Sequence, residues 1–331
     1  MRFLIVLLIT LFVTPQEYRV RLGSVIPKDS PWEEGLDQYL NTVTKRSGNQ
    51  ITFKKYLGGQ LGGEVEMVKS IAMGTLHAGA FSTAAISEAL NLPELQLFEL
   101  PFLFNTDEEA DYIMDKVMFD TMHDLLLKKG LVLVMWGTNG WRNFGTKTKA
   151  IVTPADMRGM KMRSQEADVY VKFYKALGAT PVPIATPEVL VSLKTGMVDG
   201  FDQTTIFIIA TGWVTNAKYY TISRHIYQPG AIVFSKRYFD KFSPELQKAV
   251  LSKDVIFDLS AESRKLVRAD DAILTKSIGD DFGLKVITLT EQQRNEFRKA
   301  CQPVYTQMAQ KIPPAMIQKV KTALAEFRKN Q

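Results

Sequence analysis

Tyr18-Arg19-Val20-Arg21-Leu22-Gly23-Ser24 alternates apolar and polar side chains, the period of a half-buried strand. Ser30-Pro31-Trp32-Glu33 follows, with Ser at the N-cap position, Pro at the first helical position and Glu two beyond it. Trp32, Leu36, Leu40 and Val43 then recur at helical spacing, and Gly48 ends the helix. Ile51 to Tyr56 reads as a second strand, and the glycine-rich run Gly58 to Gly63 as a turn. Glu64 to Met73 reads as a helix closed by Gly74, and His77 to Phe81 as a third strand. This β-α-β-α-β order predicts a parallel sheet with crossover helices.

The same order returns about 140 residues on. Met160 to Arg163 reads as a strand, Asp168 to Leu177 as a helix stopped by Gly178, and Pro181 to Ile184 as a strand. Pro187 to Lys194 is the second helix and Met197 to Asp202 the third strand. Two such runs predict two lobes of like architecture, without residue-level repetition. Leu131 to Trp136 and Ile232 to Ser235 are strand candidates where the chain crosses between lobes. Beyond Ser243-Pro244-Glu245 the pattern turns helical to about Ile278. Lys285 to Leu289 is a short strand, and Thr290-Glu291-Gln292-Gln293 opens further helices that run to Phe327, divided at Pro313-Pro314.

The chain has 331 residues, 46% of them hydrophobic, enough for about two domains with ordinary cores. Its net charge of +6 is scattered among acidic residues, with no basic run of the kind that grips nucleic acid. Arg2 precedes an apolar stretch from Phe3 to Val13 broken only by Thr10. That stretch makes about 16 Å of helix, short of the ~30 Å hydrocarbon core, and so predicts a signal peptide over residues 1–16. The sole cysteine, Cys301, has no partner for an internal disulfide and reads as a small helix-packing residue.

Ligands in open α/β sheets bind beyond the carboxyl ends of the strands. Ser82-Thr83-Ala84, Arg163-Ser164 and Asp202-Gln203-Thr204 reach that rim. Arg163 ends its strand, and a guanidinium there offers paired planar donors that match a carboxylate. Arg142, within Gly140-Trp141-Arg142-Asn143-Phe144, is either a second anion contact or a cation packed among aromatics. Trp141, Phe201 and Tyr227 are candidates for an apolar wall or for the core, and Trp213 reads as core. His77, His123 and His225 are scattered, and there is no H-E-x-x-H pair, G-x-S-x-G elbow or phosphate loop. No catalytic residue, cofactor or metal site is expected.

These motifs resemble the periplasmic solute-binding proteins of tripartite ATP-independent periplasmic (TRAP) transporters. The resemblance spans about Tyr18 to Leu251 and continues more weakly beyond. It rests on Gly59-Gln60-Leu61-Gly62-Gly63-Glu64 with Met67 and Gly74, on Leu100-Pro101-Phe102, on Pro154-Ala155-Asp156-Met157-Arg158-Gly159-Met160-Lys161-Met162-Arg163, and on Val198-Asp199-Gly200. It implies an α/β, two-lobed periplasmic binding protein fold with a hinge and C-terminal bracing helices. The expected division is lobe I over 17–140 plus about 229–268, lobe II over 141–228 plus about 269–290, and bracing helices over 291–331.

The resemblance makes Arg163 the main carboxylate ligand, places Arg142 near the ligand and assigns an amide contact to Gln203, where several members carry Asn. Thr83, Phe201 and Tyr227 complete the expected site. Ser164-Gln165 stands where members often have Val-Pro, and no acidic residue lies at Ala84, as it tends to in sugar-acid binders. The implied function is capture of a small organic acid, a C4-dicarboxylate, keto acid or aromatic acid, by lobe closure in the periplasm. The implied partners are integral membrane subunits driven by an ion gradient. A ligand-sensing module for a membrane receptor, or a two-lobed α/β enzyme, are the alternative readings.

Overall fold

The structure, a computed structural model, describes residues 16–330; the stretch Phe3 to Val13 read as a signal segment lies outside them. The first run forms β1 (Tyr18–Ser24), α1 (Pro31–Arg46), β2 (Ile51–Tyr56), α2 (Glu64–Met73) and β3 (Ala78–Ser82). As its order predicts, β1 pairs in parallel with both β2 and β3. Then come α3 (Thr83–Leu90), a 3-10 segment (Pro93–Glu99), α4 (Asp107–Tyr112), a π-helical turn (Ile113–Met118) and α5 (Phe119–Lys128). The second run forms β5 (Lys161–Ser164), α6 (Asp168–Ala176), β6 (Thr180–Pro183), α7 (Val189–Lys194) and β7 (Gly200–Gln203), with β5 parallel to β6 and β7.

Two long antiparallel strands, β4 (Leu131–Thr146) and β8 (Tyr219–Ser235), join these halves into one sheet of order β2-β1-β3-β8-β4-β7-β5-β6. Leu131 to Thr138 pairs with Ser235 to Pro229 beside the first half; Gly140 to Thr146 pairs with Gln228 to Tyr219 beside the second. The register shifts between Thr138 and Gly140, where Gly140 takes a φ of 103°. That conformation is open to glycine and strained for other residues. The sequence reading ended these strands early, at Trp136 and at Ile232, because glycine and proline look like breakers. Gly145 is in fact a close-approach residue: a Cβ there would lie 2.3 Å from the Phe201 ring.

The C-terminal part is helical with a break, as the pattern allowed. It forms α8 (Thr205–Ala210) and α9 (Lys236–Phe239) near β8, then α10 (Pro244–Val250), which breaks before α11 (Lys253–Phe282). The 30-residue α11 packs on α1 and β4 in the first half and on α8 in the second. Gly35 of α1 lets it lie close: a Cβ there would sit 2.2 Å from Ser263 Oγ on α11. We expect Gly35→Ala to destabilise by about 1–3 kcal/mol through overpacking, read as a lowered denaturant midpoint.

After β9 (Lys285–Thr288), which pairs with β8, come α12 (Glu291–Ala300), α13 (Gln302–Met308) and α14 (Pro314–Lys329). The Thr290 and Gln293 capping box forms in full. At α1, by contrast, Glu33 reaches back past the N-cap and accepts from the Asp29 N–H at 2.8 Å. The last helices touch both halves, α13 on α6 and Arg328 of α14 on Glu109 at 2.7 Å. Cys301 is buried at the end of α12.

Candidate functional site

A cleft with about 60 Å³ of free volume opens between the two halves. One wall comes from the segment after β1, from α1 and from the end of β3; the other from Gln165, Thr186, Gln203 and Phe207. A smaller chamber of about 10 Å³ holds Arg163 together with Ala84, Ala85, Glu166 and Ala167. Glu64, Gln165 and Thr186 line both cavities and so mark their junction. This places the site at the carboxyl ends of β3, β5 and β7, where the topology predicts it.

Arg163 is buried at 1% exposure. Its Nε and Nη2 donate to the Ile184 carbonyl at 3.1 and 2.9 Å, which locks the side chain at the end of β6. The guanidinium lies over the Trp213 ring, 5.3 Å from its centroid. Among the described residues Nη1 has no hydrogen-bond partner. Burial, with Arg142 nearby, pushes the Arg163 pKa down to about 10, which still leaves it charged at neutral pH. A buried guanidinium with an unpaired N–H is costly unless an acceptor completes it.

Arg142 is also fully buried, but its donors are committed inside the protein. Nε meets Asp202 Oδ2 at 2.5 Å, and Nη2 donates to the Asp202 carbonyl. Nη1 donates to Gln203 Oε1 at 3.1 Å and to Gln228 Oε1 at 2.7 Å. Asp202 further accepts from Tyr174 at 2.6 Å and faces His225 Nε2 at 3.3 Å. Burial works to raise the Asp202 pKa, but Arg142 and His225 overcome it and hold the carboxyl well below the usual carboxylate range. Gln228 extends the network, its Nε2 donating to Glu99 at 3.2 Å and to Gln165 Oε1 at 2.9 Å.

Of the six residues expected at the ligand, Arg163 and Gln203 line the two cavities, while Arg142, Thr83, Phe201 and Tyr227 sit behind them. Arg142 is held off by its ion pair. Thr83 is buried and donates to Glu99. Phe201 packs on Gly145 and edge-on to Trp213. Tyr227 accepts from Arg268 at 2.8 Å and packs on Trp141. His225 stacks between Phe144 and Phe173 at 4.1 and 4.8 Å, away from either cavity.

The structure adds Gln165 and Glu64. Gln165 and Gln203 have their carbonyl oxygens fixed by Gln228 and Arg142, and among the described residues neither Nε2 has an acceptor. Glu64 accepts from the Ser82 N–H at 2.7 Å and from its hydroxyl at 3.2 Å, and burial pushes its pKa up to about 6. The signal for Glu64 was its place in the glycine-rich motif; Gln165 carried none beyond adjacency to Arg163.

The site therefore presents an unpaired guanidinium N–H in the smaller chamber and amide N–H groups at the junction and in the larger cleft. Among the described residues no His, Cys, Asp and Glu cluster has the arrangement of a metal site, and no helix is long and apolar enough to cross a membrane.

The sequence and the fold match known proteins along nearly their whole length. A solute-binding protein of Verminephrobacter eiseniae is 27% identical over 308 residues, covering 92% of this chain and 89% of that protein. Among solved structures, a TRAP periplasmic solute-binding protein from a Sulfitobacter species with bound β-D-galacturonate is 29% identical with a TM-score of 0.84, covering 92% of this chain and 98% of that one. The sugar acid binding protein DctPAm of Advenella mimigardefordensis, in complex with galactonate, superposes with a TM-score of 0.88 at 26% identity, covering 95% and 99%. These are binding proteins and not enzymes. The model of bacterial extracellular solute-binding protein family 7 matches residues 22–312, and the chain belongs to that family, the solute-binding proteins of TRAP transporters.

Proposed function

We propose that this protein captures a small organic acid in the periplasm by its carboxylate and delivers it to the integral membrane subunits of a TRAP transporter. The observation that carries this reading is the buried, unpaired Nη1 of Arg163 at the end of β5. A carboxylate accepting from Arg163 satisfies a buried N–H that is otherwise stranded, with Gln165 and Gln203 as further donors. Arg142 positions Gln203 and, through Gln228, Gln165. Thr83, Phe201 and Tyr227 support that layer from behind.

Closure follows from where the walls lie. Trp32 of α1 packs edge-on to Phe207 of α8 at 5.9 Å, and its Nε1 donates to the Thr138 carbonyl at 2.7 Å. The Trp32–Phe207 contact bridges the halves over the cleft and helps exclude water from an ion pair formed there, which strengthens it. A ligand that bridges both walls favours the closed arrangement by its differential affinity.

A thermal-shift screen over organic acids tests the proposal. An acid present at about 100 times its dissociation constant stabilises the protein by about 2.7 kcal/mol. A flat response to every carboxylate, with no acid retained in native mass spectra, overturns it.

Glu64 makes the capture pH-dependent. Its pKa of about 6 marks a group that is neutral below that pH and anionic above it. A ligand carboxylate nearby repels the anion and raises its pKa further, so binding takes up a proton. Affinity should fall about tenfold as pH rises from 5 to 7.5, one pKa unit of coupling being about 1.4 kcal/mol. Titration calorimetry across that range checks the slope, and Glu64→Gln should flatten it.

A further inference from the structure

We infer that the acid this site selects carries an apolar body, aromatic or branched aliphatic, and not a polyhydroxylated or second carboxylate-bearing chain. The inference rests on the carboxylate reading above and specifies what lies beyond the carboxylate. The large cavity is walled by Ile26, Trp32, Leu36, Met135, Phe207 and Ile232. Several polar groups among its walls are engaged, while the Thr138 hydroxyl has no partner among the described residues. The Trp32 indole N–H donates to Thr138 O, the Asn139 amide to Gln228 Oε1 at 3.0 Å, and the Ser82 hydroxyl to Glu64. Of the free donors, Arg163 lies in the smaller chamber, Gln165 at the junction and Gln203 in the larger cavity near that junction's residues. The site is thus divided into an anion-gripping chamber and an apolar cleft, joined at Glu64, Gln165 and Thr186.

Such a division discriminates by desolvation. Each ligand hydroxyl buried against the apolar walls without a partner weakens binding roughly tenfold. Each apolar carbon buried there strengthens it by roughly a factor of four. A second carboxylate at the far end meets no guanidinium among the walls of the large cavity. The Trp32 and Phe207 rings offer edge and face contact to an aromatic ligand.

Titration calorimetry of the full described chain with 3-phenylpropionate, 4-methylpentanoate, succinate and D-galacturonate tests the inference. The first two should bind at least tenfold more tightly than the last two. Ile26→Asn, at a half-buried position, should weaken the two apolar acids at least fivefold relative to succinate. The neutral amide 3-phenylpropanamide should bind at least thirtyfold more weakly than its acid. If succinate or galacturonate binds tightest, in a manner lost in Arg163→Ala, the apolar class is overturned while the carboxylate grip stands. If the amide binds as well as the acid, the carboxylate grip itself is overturned. Absence of binding by both apolar acids also overturns the inference.

Discussion

Arg163→Ala should weaken binding of the captured acid by a factor of about 30 or more. Removing one partner of a buried, hydrogen-bonded charge pair costs about 2–5 kcal/mol, and about 1.4 kcal/mol is tenfold. The size of the effect follows from burial. At 1% exposure the guanidinium has no water to replace the lost carboxylate, and its Nη1 has no protein partner to fall back on. Arg163→Lys should recover only part of the affinity. An ammonium keeps the charge but not the planar fork, and it cannot hold the Ile184 carbonyl through two N–H groups while presenting a third to the ligand. Titration calorimetry gives both dissociation constants. Urea unfolding without ligand separates lost binding from the lost bonds to Ile184. Unchanged affinity in Arg163→Ala, in a protein of unchanged unfolding midpoint, would sink the assignment.

Arg163 was legible in the sequence because its place is set locally. A short apolar strand ends on it, and strand ends face the cleft in this class of sheet. The same local logic placed the elements of both β-α-β-α-β runs to within a residue or so, apart from the strand of Met197 to Asp202, which begins at Gly200, and the first turn of Pro187 to Lys194, which is 3-10. What stayed hidden depends on register. Arg142 read either as an anion contact or as a cation packed among aromatics; it does lie over Tyr170, but Asp202, 60 residues on, is brought beside it only by the antiparallel pairing of β4 with β7. That ladder opposes Asn143 to Gln203 and Phe144 to Asp202, a match that no periodicity announces. Glu99, Gln228 and Gln165 meet across separations of up to 129 residues, and isolated amides and acids carry no pattern. The apolar character of the cleft was hidden for a further reason. Ile26, Leu36, Met135 and Ile232 look like core residues in sequence, and only the gap between the halves turns them into ligand walls.

The buried network also divides labour between the two arginines. Arg142 lies over the Tyr170 ring at 4.8 Å and has acidic and amide acceptors on several sides. Arg163 has one carbonyl and one aromatic ring. The first is neutralised by the protein and the second is left for the ligand. The two repel each other, which is one reason Arg163 is held below its ordinary pKa. An incoming carboxylate relieves that repulsion as well as filling the vacant N–H, so both effects favour the bound state.

Arg142→Ala should therefore act on the fold before it acts on the ligand. It leaves Asp202 buried at 0% exposure without its main cation, and breaking a buried pair by removing one partner costs about 3–5 kcal/mol. Urea unfolding should show that loss as a lowered midpoint at unchanged slope. Affinity should drop as a secondary effect, because Gln203 and Gln228 lose the donor that orients them. The double variant Arg142→Met with Asp202→Leu provides the discriminating comparison. Replacing both ions by apolar side chains of similar size removes the stranded charge, so the pair should be more stable than Arg142→Ala alone. Its affinity should nevertheless remain low, since the amides stay unanchored. A loss below about 1 kcal/mol in Arg142→Ala, typical of an exposed ion pair, would mean that Asp202 finds water or another donor. The division of roles between the two arginines would then fail. Near-normal stability in the double variant, together with weak binding, would instead establish Arg142 as the residue that positions the site and Arg163 as the one that fills it.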